Sequence, residues 1–282
     1  MLNPSGEIRI LELFSGYGTA TFALKKLGLK HKVVAYSDID KYANQCFKQN
    51  HCPDDKENKL RLGDIKQIEP TKLPDFNLLT GGFPCQSFSI AGKGLGEADP
   101  RGTLFYEIIR IAEIKQPEYM LLENVKGLTT KRFKETFDKI ISELRRINYN
   151  VYWKVLNSKD FGIPQNRERV WFVCIRKDID EPFKFQFPQE RKLKIFIKDI
   201  LEPEVYKKYY LTETQINKIL YSKFNAEKKR IQKNISSTIL SRDYKDPKCV
   251  DIADYRNDEG LRIRKGGISP CLAKSKCSKF NI

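Results

Sequence analysis

The reactive group that stands out in this chain is a cysteine set among turn-forming residues. Cys85 lies in the run Gly81-Gly82-Phe83-Pro84-Cys85-Gln86-Ser87-Phe88-Ser89, directly after Phe76–Thr80, an apolar segment that reads as a strand. A lone cysteine is ordinarily a small buried hydrophobe. At a strand end, in a turn rich in glycine and proline, it is open to neighbours that lower its pKa and turn it into a thiolate nucleophile. Other candidates precede and follow it. Phe14-Ser15-Gly16-Tyr17-Gly18 joins an apolar strand to a helix, and glycines in such a turn let the backbone approach a ligand. About twenty residues on, Asp38 ends the next strand, where a carboxylate can accept both hydroxyls of a ribose. Gly63-Asp64-Ile65 can follow a third strand in the same way. Read alone, each has an ordinary alternative: a tight turn with no ligand, Glu123 as a helix cap or half of an ion pair, Arg167 and Arg169 as a solvated basic strand. If extended, those two arginines alternate and share one face.

Positioning these groups requires a sheet with helices between its strands. Short apolar runs alternate with amphipathic stretches over the first two thirds, the rhythm of a βαβ protein with a mostly parallel sheet. The pattern predicts strands over Ile8–Leu13, Lys32–Ser37, Phe76–Thr80, Tyr119–Leu122, Val151–Leu156 and Val170–Ile175. Helices are predicted over Thr19–Leu27, Lys41–Asn50, Thr103–Lys115 and Phe133–Ile147, the third with Leu104, Ile108, Ile111 and Ala112 on one face. After Arg176, prolines at 182, 188 and 203 and lysine-rich stretches break the rhythm. We expect a catalytic domain over 1–180 and a smaller, irregular region over 181–282.

Composition narrows the partners. The 282 residues carry a formal charge of +16, with 22 Lys and Arg against 12 Asp and Glu from Glu190 onward, which favours a polyanion. No apolar run approaches the ~20 residues that span a bilayer, and the first residues lack a basic-then-apolar leader; a cytoplasmic, bacterial setting and no membrane partner are expected. The seven cysteines include no C-x-x-C pair, and Cys46, His51 and Cys52 match no zinc spacing, so no metal is expected.

Taken in order, Phe14–Gly18, Pro84-Cys85-Gln86, Glu123-Asn124-Val125 and Gln165-Asn166-Arg167-Glu168-Arg169 resemble the motif set of the DNA (cytosine-5)-methyltransferase family over roughly residues 7–176. The resemblance implies a Rossmann-like domain that binds S-adenosylmethionine and methylates carbon 5 of a cytosine flipped out of duplex DNA, as the modification part of a restriction-modification system. It assigns Cys85 as the nucleophile, Glu123 to the cytosine ring, and Arg167 and Arg169 to the cytosine carbonyl, a flanking phosphate and the catalytic loop. Cofactor contacts fall on Phe14, Ser15, Gly16, Gly18, Asp38, Ile39, Asp64, Ile65, Pro84 and Leu104. Asp38 stands where glutamate is more usual, and a shorter carboxylate must sit closer. Ser87, Lys93 and Arg101, in and after a glycine-rich loop, would contact DNA phosphates. The region around Gly267–Leu272 resembles the target-recognition part, with Cys271-Leu272 where a Thr-Leu pair is common. An arginine-led helical motif and a closing Gly-Asn segment are not found, which implies a second polypeptide that supplies them, or a truncated product. The alternatives are a weak or silent DNA-binding remnant and a tRNA cytosine-5 methyltransferase.

Overall fold

In the computed structural model the described residues are 6–84, 103–180 and 185–200, with 212, 214, 231–232, 235–237, 249–250, 254–256 and 260–262. The apolar run Ile8–Leu13 forms β1, followed by α1 (Thr19–Lys26), β2 (His31–Ser37) and α2 (Lys41–His51). Then come β3 (Leu78–Gly82), α3 (Thr103–Lys115), β4 (Tyr119–Val125), α4 (Lys134–Arg146) and β5 (Tyr149–Asn157). The two-residue β6 (Gln165–Asn166), β7 (Glu168–Arg176) and the single-turn α5 (Lys177–Asp180) follow.

The six-stranded sheet has the order β2-β1-β3-β4-β7-β5. β1 pairs in parallel with β2 and β3, β3 in parallel with β4, and β7 runs antiparallel to β4. The chain leaves β1 for β2 on one side and returns to β3 on the other, so a topological switch point lies between β1 and β3, where open α/β sheets bind ligands. Successive residues of a strand face opposite sides, and β1 shows the result. Leu11 joins a large core with Leu79, Met120, Leu122 and Phe172 against α3 and α4, whereas Ile10 joins Val33, Tyr36 and Phe47 beneath α2. α4 buries Phe137, Ile140, Ile141 and Leu144, a helical spacing that places all four on one stripe. Each such side chain contributes roughly 1.5–3 kcal/mol through burial.

Three expectations change. β4 extends to Val125 because β7 pairs with it along its whole length, from Tyr119↔Ile175 to Val125↔Arg169; Glu123 therefore lies inside the strand. The third strand before Asp64 shrinks to one bridge, Tyr36↔Arg61, held by Tyr36 N–H to Leu60 O (2.9 Å) and Leu62 N–H to Tyr36 O (2.8 Å). The run through Arg167 and Arg169 is not one strand. Arg167 N–H donates to Gln165 O (3.1 Å), and Ser158 N–H donates to Arg167 O (3.1 Å), so a tight turn separates β6 from β7.

Contacts divide the chain into two compact units, 1–156 with 169–188, and 157–168 with 189–282. β6 pairs in parallel with β9 (Ser236–Ser237), and Arg191 N–H donates to Asp160 O (2.9 Å), which places 157–168 with the later residues. The second unit also contains the parallel pair β8 (Ile231–Gln232) and β10 (Cys249–Val250), and the antiparallel pair β11 (Asp254–Arg256) and β12 (Gly260–Arg262). Among the described residues, no helix is long and apolar enough to cross a membrane, and no group of three His, Cys, Asp or Glu could hold a metal ion.

Candidate active site

The turn after β1 is held from several directions. Phe14, Gly16 and Gly18 all have left-handed φ, at 51°, 52° and 88°. For Phe14 this costs of order 1–3 kcal/mol, a strain that persists where the surroundings dictate it. Here they do: Ser15 N–H donates to Ser37 O (3.0 Å), Gly16 N–H to Asp38 Oδ2 (2.9 Å), and Gly18 N–H back to Ser15 O (2.7 Å). The second oxygen of Asp38 accepts from Asp40 N–H (2.8 Å). The short Asp38 thus grips the turn itself, and each of its oxygens retains a lone pair for a further donor. Phe14 packs half-buried on the large core, and Ile39 is 80% exposed beside Asp38.

Beneath the turn lies Glu12, a buried carboxylate that sequence reasoning missed. It accepts from Ala20 N–H and Thr21 N–H (3.2 Å each) and from Thr21 Oγ1 (2.6 Å). These are free donors of the first turn of α1, whose cap residue Gly18 has no side chain to offer. Burial raises the Glu12 carboxyl above its ordinary value, partly offset by these hydrogen bonds. An acid between Leu11 and Leu13, in the buried half of β1, was the available signal.

Farther along, Ser37 Oγ donates to Gly63 O (2.7 Å), and Asp64 Oδ1 accepts from Lys66 N–H (3.0 Å), capping a 3-10 turn over Ile65–Gln67. Ile65 is 3% exposed and packs in the core. The half-buried Leu104 packs on the same core from α3.

Two strands from the glycine turn, β3 and β4 end side by side. Glu123 Oε1 pairs with Arg169 Nε at 2.8 Å, both largely shielded from solvent. A Cβ on Gly82 would lie 3.4 Å from Glu123 Oε2, so glycine there leaves the carboxylate its space. The buried Asn124 turns the other way and donates from Nδ2 to Phe83 O (3.1 Å), tying the end of β4 to the segment that leads through the half-buried Pro84. Cys85, Ser87, Lys93 and Arg101 lie outside the described residues. Arg167 belongs to the second unit, where Asn157 fixes its backbone: Asn157 Oδ1 accepts from Arg167 N–H (3.0 Å), and Asn157 Nδ2 donates to Asn166 Oδ1 (2.6 Å).

Fold and edge together define a class, the Rossmann-like enzymes that seat a nucleoside cofactor at the switch point and act on a second substrate beside it. Residues 8–273 match the C-5 cytosine-specific DNA methylase family, and the chain belongs to that family. It is 36% identical over 305 aligned residues to the orphan methyltransferase M.SPRI of Bacillus phage SPR, covering 98% of this chain and 66% of that protein. To the type II methyltransferase M.NgoBI of Neisseria gonorrhoeae it is 42% identical over 208 residues, covering 73% and 62%. The S. pombe Dnmt2 methyltransferase structure superposes with a TM-score of 0.64 at 26% identity, covering 89% of this chain and 78% of that one. The chain spans about half to two thirds of the length of the curated relatives first matched.

The family's methyl donor is S-adenosylmethionine, and the turn suits it. Ser15 Oγ is buried with no hydrogen-bond partner, and a Cβ on Gly16 would meet nothing within 4 Å. An orphaned hydroxyl beside open space, with Asp38 adjacent, is a seat for a polar ligand.

Proposed function

We propose that this chain methylates carbon 5 of cytosine in duplex DNA, with Cys85 as the covalent nucleophile, in the cytoplasm of a bacterium and as the modification partner of a restriction endonuclease. The carrying observation is the Glu123–Arg169 pair beside the Asn124-anchored start of the Cys85 turn. Relatives named type II methyltransferases and the +16 charge support the reading.

The Cys85 thiolate adds to carbon 6 of the ring and makes carbon 5 nucleophilic. Glu123 holds nitrogen 3 and the exocyclic amine and favours the protonated ring during addition. Arg169 orients Glu123 and, with Arg167, holds the cytosine carbonyl and the flanking phosphate. When bound, S-adenosylmethionine would supply an electrophilic methyl group, and Phe14, Ser15, Gly16, Gly18, Asp38, Ile39, Asp64, Ile65, Pro84 and Leu104 would hold it. Once carbon 5 carries the methyl group, its proton passes to water and the carbon 6–sulfur bond breaks, which releases the Cys85 thiolate. Because carbon 6 is inaccessible in a stacked duplex, the base must leave the helix, with Ser87, Lys93 and Arg101 gripping phosphates. Residues 1–180 carry this chemistry and 181–282 the target recognition.

A second polypeptide completes the domain. On one face of the sheet Leu121, Trp171 and Val173 stay half-buried, and register places Leu121 beside Val173, an apolar surface that an added helix would cover. The chain alone then binds S-adenosylmethionine and transfers methyl groups poorly; vigorous methylation by the purified chain by itself is the contrary result.

The decisive experiment incubates the completed assembly with S-adenosylmethionine and duplex DNA containing 5-fluorocytosine, whose fluorine blocks the final elimination. Mass spectrometry should find the adduct on the peptide bearing Cys85, and Cys85→Ser should abolish it. An adduct elsewhere, or methyl transfer to tRNA in preference to duplex DNA, would overturn the assignment.

A further inference from the structure

His51 is the last residue of α2, near Cys46 and Cys52, and no metal grouping involves it among the described residues. Its ring points instead at the glycine turn. His51 Nε2 lies 2.9 Å from the Tyr17 carbonyl oxygen, and because a carbonyl accepts, Nε2 carries the hydrogen. The same ring fills the space beside Gly18: a Cβ there would lie 2.5 Å from two ring atoms of His51 and 2.8 Å from the Phe47 ring. Tyr17 meets the imidazole edge-on at 5.7 Å between centroids, and Phe47 packs against it at 5.0 Å.

The start of the turn is held by the Ser37 carbonyl and the Asp38 carboxylate. Among the described residues, the side-chain hydrogen bond that reaches Tyr17 from outside the turn comes from His51. Asp38 lies just before α2 and His51 at its end, so the segment around one helix grips the turn at two neighbouring residues. Three left-handed residues in five make a strained path, and such a path keeps its shape only while its grips persist.

We infer that His51 is a positioning residue for the methyl donor: its Nε2–H to Tyr17 hydrogen bond, with the ring lodged against Gly18, sets the shape of the turn and hence cofactor affinity. His51 touches no reacting atom, so binding should suffer and the chemical step should not. This rests on reading the turn as the S-adenosylmethionine seat.

The test is calorimetric titration of the completed assembly with S-adenosylmethionine, beside its methyl-transfer kinetics and thermal melting of the unliganded chain. His51→Phe keeps a ring against Gly18 and removes the donor; its Kd should rise about tenfold, the worth of one hydrogen bond to an otherwise unsatisfied group, with kcat at saturating cofactor nearly unchanged. His51→Gln restores an N–H and should recover most of the affinity. Wild-type affinity in His51→Phe, or an equal loss in both variants, overturns the role while leaving the seat intact. A wild-type assembly that binds no S-adenosylmethionine overturns seat and role together. If His51→Phe does not fold, long-range proton–nitrogen spectra of the wild-type ring decide: a hydrogen on Nε2 is expected, and a ring protonated on Nδ1 alone refutes the inference.

Discussion

At the β1 end of the sheet edge, Asp38, Glu12 and His51 each grasp backbone atoms of the glycine turn or of the helix that follows it. At the β4 end, Glu123 and Arg169 grasp each other. Groups that hold backbone fix a shape and need not change state when a reaction runs. A paired carboxylate and guanidinium, largely shielded from solvent, place opposite charges side by side in a setting where electrostatics act strongly. On the proposed function the first region serves affinity and stability and the second serves rate, and substitutions should separate the two.

The largest effect is expected at the rate side. Glu123→Gln should lower single-turnover methyl transfer by about 10²–10³-fold, the usual scale for losing one stabilising group, with cofactor affinity nearly unchanged; the reverse pattern would erase the distinction. Next is Glu12→Ala, which strands the Ala20 and Thr21 donors. It should cost about 3 kcal/mol of unfolding free energy at roughly 1 kcal/mol per hydrogen bond, read by urea denaturation. Asp38→Asn keeps one acceptor oxygen and presents an NH₂ to a neighbouring N–H; S-adenosylmethionine should bind about fivefold more weakly, by titration, at an unaltered kcat.

The smallest effect is in pH. Burial holds the Glu12 carboxyl above its ordinary 4.5, so the folded chain retains that proton more tightly than the unfolded chain. The stability Glu12 contributes is full below 4.5, declines as pH climbs to the raised folded value, and is level above it. Glu12→Gln should flatten that stretch of the stability curve.

The periodic elements and the Rossmann-like sheet were legible because strand and helix periods are local. So was the place of Asp38, directly after the last residue of β2. What escaped depends on distant partners. Arg167 and Arg169 look like one extended face until Asn157, ten residues upstream, captures the Arg167 backbone and bends the chain. Glu12 reads as a misfit in an apolar strand, because its donors lie eight and nine residues later on a helix. His51 was weighed only against cysteine neighbours, whereas its partner Tyr17 sits 34 positions earlier. The full length of β4 was hidden because its last two residues, Asn124 and Val125, pair with β7 and not with β3.

The reversed direction of β7 has an architectural consequence. The path from Val125 to Arg169 departs from and comes home to the same rim, so the spacing of Glu123 and Arg169 is dictated by the ladder and is indifferent to the contour between them. Insertions into the turns of that excursion, outside α4 and β5, should therefore leave the pair in place.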